Sequence, residues 1–486
     1  MSRYRLSSSA AAALVLFAFI FAVRVWQMTH KHEMHPDEVY SVMISRCNPL
    51  FYQSPPDGVY SGAALASMLA DSHSMGEDLT GLWRDNADVP HASLYYMMLR
   101  VVTDSVDSWN PDAFIRIGGT LNLMLMALAY LLMYRLGNLL FPGRRWAVLA
   151  MLALGFGSQS AGDCVLLLRE YQLAATAIIW LVWEMVAFME KRGSTALSAA
   201  RLILPTVVAL SAGYLNAWFL LLAYGASMVW LFASGQRKAA MMLPAVAVIG
   251  LLAAVAIYPG FFNFLLHSNP HTRLAFINFS STMSQTFSRD IVGQTFTVTG
   301  LIAIAVAGAV TLWQCRRCGN AAAGGRRRLA IASAVILAAL LTVCMVQYTS
   351  VLKEVRYSYP FLPLLALIVP VALYGWRGKA AVTAGAALTF FYAGVSITRT
   401  PTLDYGWVQR SRHLKHPATL YCLNPNEVSL AVPMLNPYTD YLLTSDTKRS
   451  YTSWPSVIVH YKSDKVDRGL YAVVPLTGPL NLLVRK

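Results

Sequence analysis

The stretch Met34-His35-Pro36-Asp37-Glu38-Val39-Tyr40 places two adjacent carboxylates beside a histidine, with a proline that keeps His35 out of helical geometry. Acids of this kind can activate a hydroxyl. Taken alone, the pair fits a solvated turn equally well. Other ionisable groups recur in small clusters along the chain: Asp85, Asp88 and His91; Arg116; Asp163, Arg169, Glu170 and Tyr171; His267, His271 and Arg273; and Lys353, Glu354, Arg356 and Tyr357. Arginine and lysine in such clusters can hold a phosphate. Each also has a plainer reading. Arg116 and Arg169 suit a helix end snorkelling to head groups, His267 and His271 suit a polar surface, and Asp163 and Glu170 suit ion pairs with Arg169.

The elements that must position these groups are membrane helices. The 486 residues are 56% hydrophobic and 13% charged, with mean hydropathy +0.48, where soluble domains carry about 25% charge. Runs long enough to span a bilayer lie near 8–26, 113–133, 146–162, 171–189, 200–215, 216–234, 240–259, 293–313, 329–348, 358–376 and 379–397. That pattern predicts an all-α polytopic membrane protein of about 11 transmembrane helices, with the turn between the fifth and sixth at Gly213–Asn216. A cleaved signal peptide is disfavoured, because Arg24, Val25 and Trp26 follow the first run where small residues would mark a cleavage site.

The net charge of +15 follows from topology. With a cytoplasmic N-terminus, the inner segments hold Arg3, Arg5, Arg135, Arg144, Arg145, Lys191, Arg192, Arg201, Arg237, Lys238, Arg316, Arg317, Arg326–Arg328, Arg377 and Lys379, against the single acid Glu190. The remaining basic and acidic residues nearly cancel, so no nucleic-acid partner is needed. Two outer segments result: the loop 27–112, with interfacial helices expected at 61–70 and 92–103, and the tail 398–486, with strand-like runs at Thr419–Leu423 and Ser456–Tyr461. The reading is therefore a membrane module over 1–397, which includes that loop, followed by a small outer α/β or mixed C-terminal domain over 398–486. Cys47 and Cys422 would share the outer side, where a disulfide is open to them. Cys315-Arg-Arg-Cys318 has the spacing of half a zinc site, but with no second pair nearby it reads as a loop.

In this register the ionisable clusters gather at the outer ends of the spans. A transporter would place such groups nearer the midplane, and no repeat or inverted symmetry is visible. Chemistry at the outer interface, between a lipid-borne reactant and something outside, fits better. A polytopic carrier or flippase for a lipid-linked sugar is the alternative, and a membrane assembly partner without chemistry a third.

Five stretches carry a family resemblance. His35-Pro36-Asp37-Glu38 after the first span is similar to the first-loop acidic motif of GT-C membrane glycosyltransferases, near the protein O-mannosyltransferase and bacterial lipid A aminoarabinose transferase group. Asp88-Val-Pro-His91-Ala-Ser-Leu-Tyr95-Tyr96 resembles that group's His-Pro-Pro-Leu-Tyr-Tyr stretch, with Ala92-Ser93 in place of the double proline. Phe114-Ile-Arg116 precedes a long apolar span, as in the family. Arg169-Glu-Tyr171-Gln-Leu resembles its Arg-Pro-Tyr-Ala-Leu, with Glu170 replacing the proline, and Arg356-Tyr-Ser-Tyr-Pro360-Phe-Leu-Pro363 matches an Arg-Tyr before a late span. The likeness runs in order over most of 8–397.

The resemblance implies a hexosyl- or pentosyltransferase that moves one sugar from a polyprenyl-phosphate donor to a glycan, lipid or protein acceptor. The site would lie at the outer face of the cytoplasmic membrane, in contact with the bilayer. It implies Asp37 as general base, with Glu38 orienting it or binding acceptor, and Asp88 and His91 as acceptor or metal contacts. Arg169, Arg356 and Lys353 would meet the donor phosphate, supported by Arg116, Tyr171, Tyr357 and His267. Single displacement predicts inversion at the anomeric carbon. No cofactor is required by this scheme; a divalent metal stays open, because Asp37, Glu38, Asp88 and the histidines could supply ligands but no spacing fixes a site.

Overall fold

The computed structural model describes residues 8–31, 34–51, 55–85, 93–190, 195–261, 286–318, 323–349, 355–399, 418–421, 435–444, 456–460, 471–475 and 480–485. In chain order the helices are α1 Ser8–Thr29, α2 Pro36–Ser45, α3 Gly62–Ala70, α4 Met75–Asp85, α5 Ser93–Val102, α6 Pro111–Leu140, α7 Arg145–Gly157, α8 Gln159–Leu166, α9 Tyr171–Glu190, α10 Ala196–Ala200, α11 Ile203–Ala212, α12 Asn216–Ala233, α13 Arg237–Ile257, α14 Val298–Cys318, α15 Ala323–Thr349, α16 Leu362–Leu365, α17 Ile368–Ala372 and α18 Gly378–Thr398. A π-helical turn covers Thr286–Phe296 and a 3₁₀ turn Val355–Phe361. The chain divides into two compact units, one of 1–30, 85–95 and 119–402, the other of 31–84, 96–118 and 403–486.

The first unit is helical and apolar. Among the described residues of the chain, seven helices are long and apolar enough to cross a membrane, or eight if α7 and α8 form one span bent by 52°. This is a polytopic membrane fold, as the hydropathy predicts. Two further apolar helices, Ala196–Ala212 and Val298–Gln314, are shorter. The expected turn at Gly213–Asn216 is present, and Asn216 closes it by donating from Nδ2 to the Ala209 carbonyl at 2.8 Å. The expected span 358–376 is not one helix. It is the end of the 3₁₀ turn followed by α16 and α17, because Pro360, Pro363 and Pro370 each lack an N–H and crowd the preceding turn.

The break between α7 and α8 has a visible cause. Ser158 adopts extended geometry and its hydroxyl caps α8 by accepting from Ala161 N. The carbonyls of Phe156 and Ser158 then accept from Arg24 Nη2 of α1 at 2.8 and 2.9 Å, while Arg24 Nη1 donates to Gln27 at 2.8 Å. Arg24 is fully buried. A Cβ on Gly162 would lie 2.5 Å from its Nη1, so a side chain there would have to push the guanidinium aside.

The second unit holds the loop helices and a six-stranded mixed sheet of order β1-β3-β2-β4-β6-β5. The strands are β1 Gly58–Ser61, β2 Ala418–Tyr421, β3 Asp440–Thr444, β4 Ser456–His460, β5 Tyr471–Pro475 and β6 Leu480–Arg485. β2 lies parallel to β3 and β4; the other pairs are antiparallel. β2, β4, α3 and α5 overlap the strands expected at 419–423 and 456–461 and the helices expected at 61–70 and 92–103, of which Ala92, Cys422, Leu423 and Tyr461 lie outside the described residues. The sequence division assigns residues 27–112 and 398–486 to different domains, yet β1 of the loop pairs with β3 of the tail, Gly58 opposite Leu443 and Ser61 opposite Asp440. Thr444 Oγ1 donates to Asp57 at 2.9 Å beside that pairing. Only strand pairing, not local sequence, could reveal the union.

Candidate active site

In the second unit, His35-Pro36-Asp37-Glu38 is the start of α2. His35 is extended (φ −62°, ψ 148°), and its Nδ1 accepts from Asp37 N at 3.2 Å. Glu38 Oε2 accepts from His35 N at 2.6 Å. The motif is thus a capping box with histidine in the usual serine or threonine place, and Pro36 fills the first helical position, where no N–H is needed. Met34 and Val39, both buried, occupy the two positions of a hydrophobic staple.

The two carboxylates differ sharply. Glu38 is fully buried and pairs with Lys31, whose side chain is also buried. The Asp37 side chain is 17% exposed, with Oδ2 3.5 Å from His35 Nδ1. One acid is thus consumed by structure, while its neighbour stays partly exposed, with Oδ2 itself buried, at the positive end of a helix.

The support beneath α2 is polar and buried. Arg46 at its C-terminus donates to the carbonyls of Ala70, Thr103 and Val106 and stands 5.2 Å over the Phe114 ring. Burial and the neighbouring Arg100 hold the Arg46 guanidinium below its usual value, against the opposing pull of Asp78. Asn48 Nδ2 meets the carbonyls of Met68, Leu69 and Asp71. Arg100 clamps buried Asp78 at 2.7 Å and Asp104 at 2.7 Å. Cys47 Sγ lies 3.2 Å from the Asp78 carbonyl as a thiol donor, and Cys422 lies outside the described residues.

In the first unit, the bend after α8 brings arginines and tyrosines together. Arg169 is buried, with Nε 3.5 Å from Glu170 Oε2. Tyr171 meets the rings of Tyr357 and Tyr359 edge-on at 6.3 and 6.1 Å. Arg356 stands 5.7 Å over the Tyr357 ring. Burial holds its guanidinium below the usual value, and Tyr357 and Tyr359 offset part of that. Tyr359 OH donates to fully buried Asp163 at 3.3 Å. Burial, with Tyr357, Tyr258 and Glu170 nearby, pushes the Tyr214 hydroxyl up. The turn leading into Arg169 is fixed by Asn122, whose Nδ2 donates to the carbonyls of Val165 and Leu167 at 3.0 and 2.8 Å while Oδ1 accepts from Tyr95 OH at 3.2 Å. An apolar groove of about 640 Å³ in the same unit is lined by Leu210, Tyr214, Leu220, Tyr224, Leu243 and Phe261, among others.

Of the residues proposed from sequence, Asp37 and Glu38 share one helix start, and Arg169, Tyr171, Arg356 and Tyr357 share one cluster. Within the Asp163, Arg169 and Glu170 group, Arg169 lies beside Glu170 and Asp163 beside Tyr359. Arg116 is exposed on α6. Asp88, His91, His267 and Lys353 lie outside the described residues. Among the described residues no three of His, Cys, Asp or Glu converge as a metal site. Lys31, Arg24 and Asn122 are new from the structure. Arg24 carries a sequence signal, a charge inside an apolar run; Lys31 and Asn122 carry none that separates them from ordinary loop and helix residues.

Neither a family model nor a curated protein matches the chain. Solved structures do. ArnT from Cupriavidus metallidurans, in a crystal structure bound to undecaprenyl phosphate, aligns with TM-score 0.55 at 8% identity over 98% of this chain and 98% of that one. The arabinofuranosyltransferase AftD from Mycobacteria aligns at 0.49 and 13% identity, over 99% of this chain and 40% of its own. The Archaeoglobus fulgidus oligosaccharyltransferase aligns at 0.47 and 10%, over 95% and 70%. The whole-length alignment with ArnT gives the chain the GT-C fold.

Proposed function

We infer that the protein is a glycosyltransferase that moves a sugar from a polyprenyl-phosphate donor to an acceptor at the outer face of the cytoplasmic membrane. The observation that carries this reading is the unequal pair at the start of α2. A buried, Lys31-paired Glu38 fixes the helix start, and Asp37 beside it is the more exposed carboxylate of the two. Asp37 then acts as general base on the acceptor hydroxyl. A carboxylate suffices, because the anomeric carbon develops oxocarbenium character and the proton need leave only late. Attack opposite the phosphate inverts the anomeric centre.

Arg169 and Arg356 neutralise the phosphate as its ester bond breaks, with Tyr171 and Tyr357 holding them in place. Partly desolvated guanidiniums suit this work, since their charge is weakly screened where the anion forms. The apolar groove beside Tyr214 suits a prenyl chain. ArnT, whose fold this chain shares, was crystallised with undecaprenyl phosphate, which favours that donor class. Asp88, His91, Lys353 and His267 keep the contacts that the family resemblance gives them, and Arg116 a supporting place.

The test is mass spectrometry of envelope glycans and glycolipids from cells with and without the gene. Loss of one sugar-bearing species is expected and identifies donor and acceptor together. An unchanged envelope profile would favour a carrier or assembly role.

A further inference from the structure

A basic cavity lies at the start of the α7–α8 path. It has a volume of about 480 Å³ and is formed between the starts of α7 and α18. Its walls include Arg144, Arg145, Trp146, Trp376, Arg377 and Val382. All of its lining comes from 143–147 and 373–382, and neither stretch contains an acid.

The cavity is built rather than incidental. A Cβ on Gly385 would lie 2.6 Å from Trp146 Cβ, so α7 and α18 cross in near backbone contact and their starts stand side by side. Gly143 (φ +78°) and Gly378 (φ +57°) make the turns at its edge in the left-handed region that favours glycine. Arg144 donates to the Trp376 carbonyl and stands 5.3 Å over the Tyr374 ring, and Trp376 Nε1 donates to Ala307 at 3.1 Å. Neither helix start carries a side-chain cap. Two helix N-termini therefore add partial positive charge to three guanidiniums. Arg145 reaches only Ser8 Oγ, at 2.7 Å, and Arg377 is exposed with no hydrogen-bond or ion-pair partner among the described residues.

So much like charge without a counter-acid calls for an anion. The cavity's tryptophans and its exposed Val382 favour one carried on an apolar body over a free ion. Basic pockets between membrane helices on the positively charged side have the chemistry to bind anionic head groups.

We propose that this cavity binds the phosphate head group of an anionic phospholipid of the cytoplasmic leaflet. Arg145 and Arg377 pair with its phosphate oxygens, and the apolar wall lies along the start of an acyl chain. The proposal is independent of the glycosyl-transfer reading.

The test uses the full-length protein in detergent, with phosphatidylglycerol and phosphatidylcholine of identical chains, read by native mass spectrometry and by thermal midpoint. Wild type is expected to retain phosphatidylglycerol roughly 30-fold better, in line with two arginines contributing near a surface. Phosphatidylglycerol should also raise the midpoint more than phosphatidylcholine does, and the difference should shrink at high salt. The R145Q/R377Q variant should lose the preference. Equal retention of the two lipids, or a preference that survives the double substitution, would overturn the proposal. So would displacement of the lipid by millimolar inorganic phosphate, which would assign the cavity to a soluble anion. If the variant does not fold, the wild-type lipid and salt comparison decides alone.

Discussion

Glu38 and Arg24 are both fully buried, and the molecule answers them by opposite means. Glu38 is satisfied from nearby in the chain, by a backbone N–H three residues away and by Lys31 seven away. Arg24 has one local partner, Gln27, and otherwise reaches across 132 and 134 residues to carbonyls that a break between two helices leaves available. The difference is one of charge as well as distance. A carboxylate at a helix start finds donors already aimed at it. A guanidinium inside an apolar helix bundle needs acceptors, and regular helices use theirs internally, so one must be broken to supply them. The first arrangement travels with a short peptide; the second exists only once the bundle has assembled.

The sharpest way to break this comparison is to separate the two acids at the start of α2. D37N should reduce transfer by roughly 10²- to 10⁴-fold, the usual contribution of a general base. It should leave folding intact, because the cap uses the Asp37 backbone rather than its side chain. The readout is recovery of the missing sugar-bearing species in gene-deleted cells supplied with the variant. Near-normal recovery would move the base to Glu38 or Asp88.

E38Q should act on stability instead. Gln can still accept from His35 N, but Lys31 is left buried without its counter-charge, at a cost of roughly 3–5 kcal/mol. Thermal unfolding of the purified protein measures this, and the K31M/E38Q double variant should regain most of the loss. A double variant as unstable as the single one would show that the pairing is not what Glu38 supplies.

The smallest expected effect is at the arginine cluster. R356A should weaken polyprenyl-phosphate binding by roughly 10- to 100-fold, the range for a hydrogen bond to a charged group, with acceptor affinity held. Titration of the detergent-solubilised variant with polyprenyl phosphate tests it. Unchanged affinity would leave Arg356 a packing residue beside Tyr357.

Much of the membrane fold was legible because hydropathy is a local property. The runs that became α1, α6, α9, α12, α13, α15 and α18 satisfy a bilayer by composition alone. The reading failed at 358–376, where apolar composition outweighed three prolines whose effect is on the backbone. Asp37 and Glu38 were visible as a pair, but their inequality was not, since adjacent acids look alike until burial separates them. The turn geometry behind Arg169 was equally hidden, because Asn122 sits 43 and 45 residues from the carbonyls it holds.

By itself, the sequence determined the apolar spans and the adjacency of Asp37 and Glu38 behind Pro36, while the helix that starts there became visible only in the structure. The spans follow from neighbouring side chains and the solvent they meet. Only the tertiary structure decided that Arg24 would be answered by the broken α7–α8 path, that β1 would pair with the tail strand β3, and that Tyr171, Tyr357 and Tyr359 would gather around one bend. Those outcomes depend on hydrogen bonds and ring contacts between distant segments, whose partners have no local signature because the energy that selects them appears only when the segments pack.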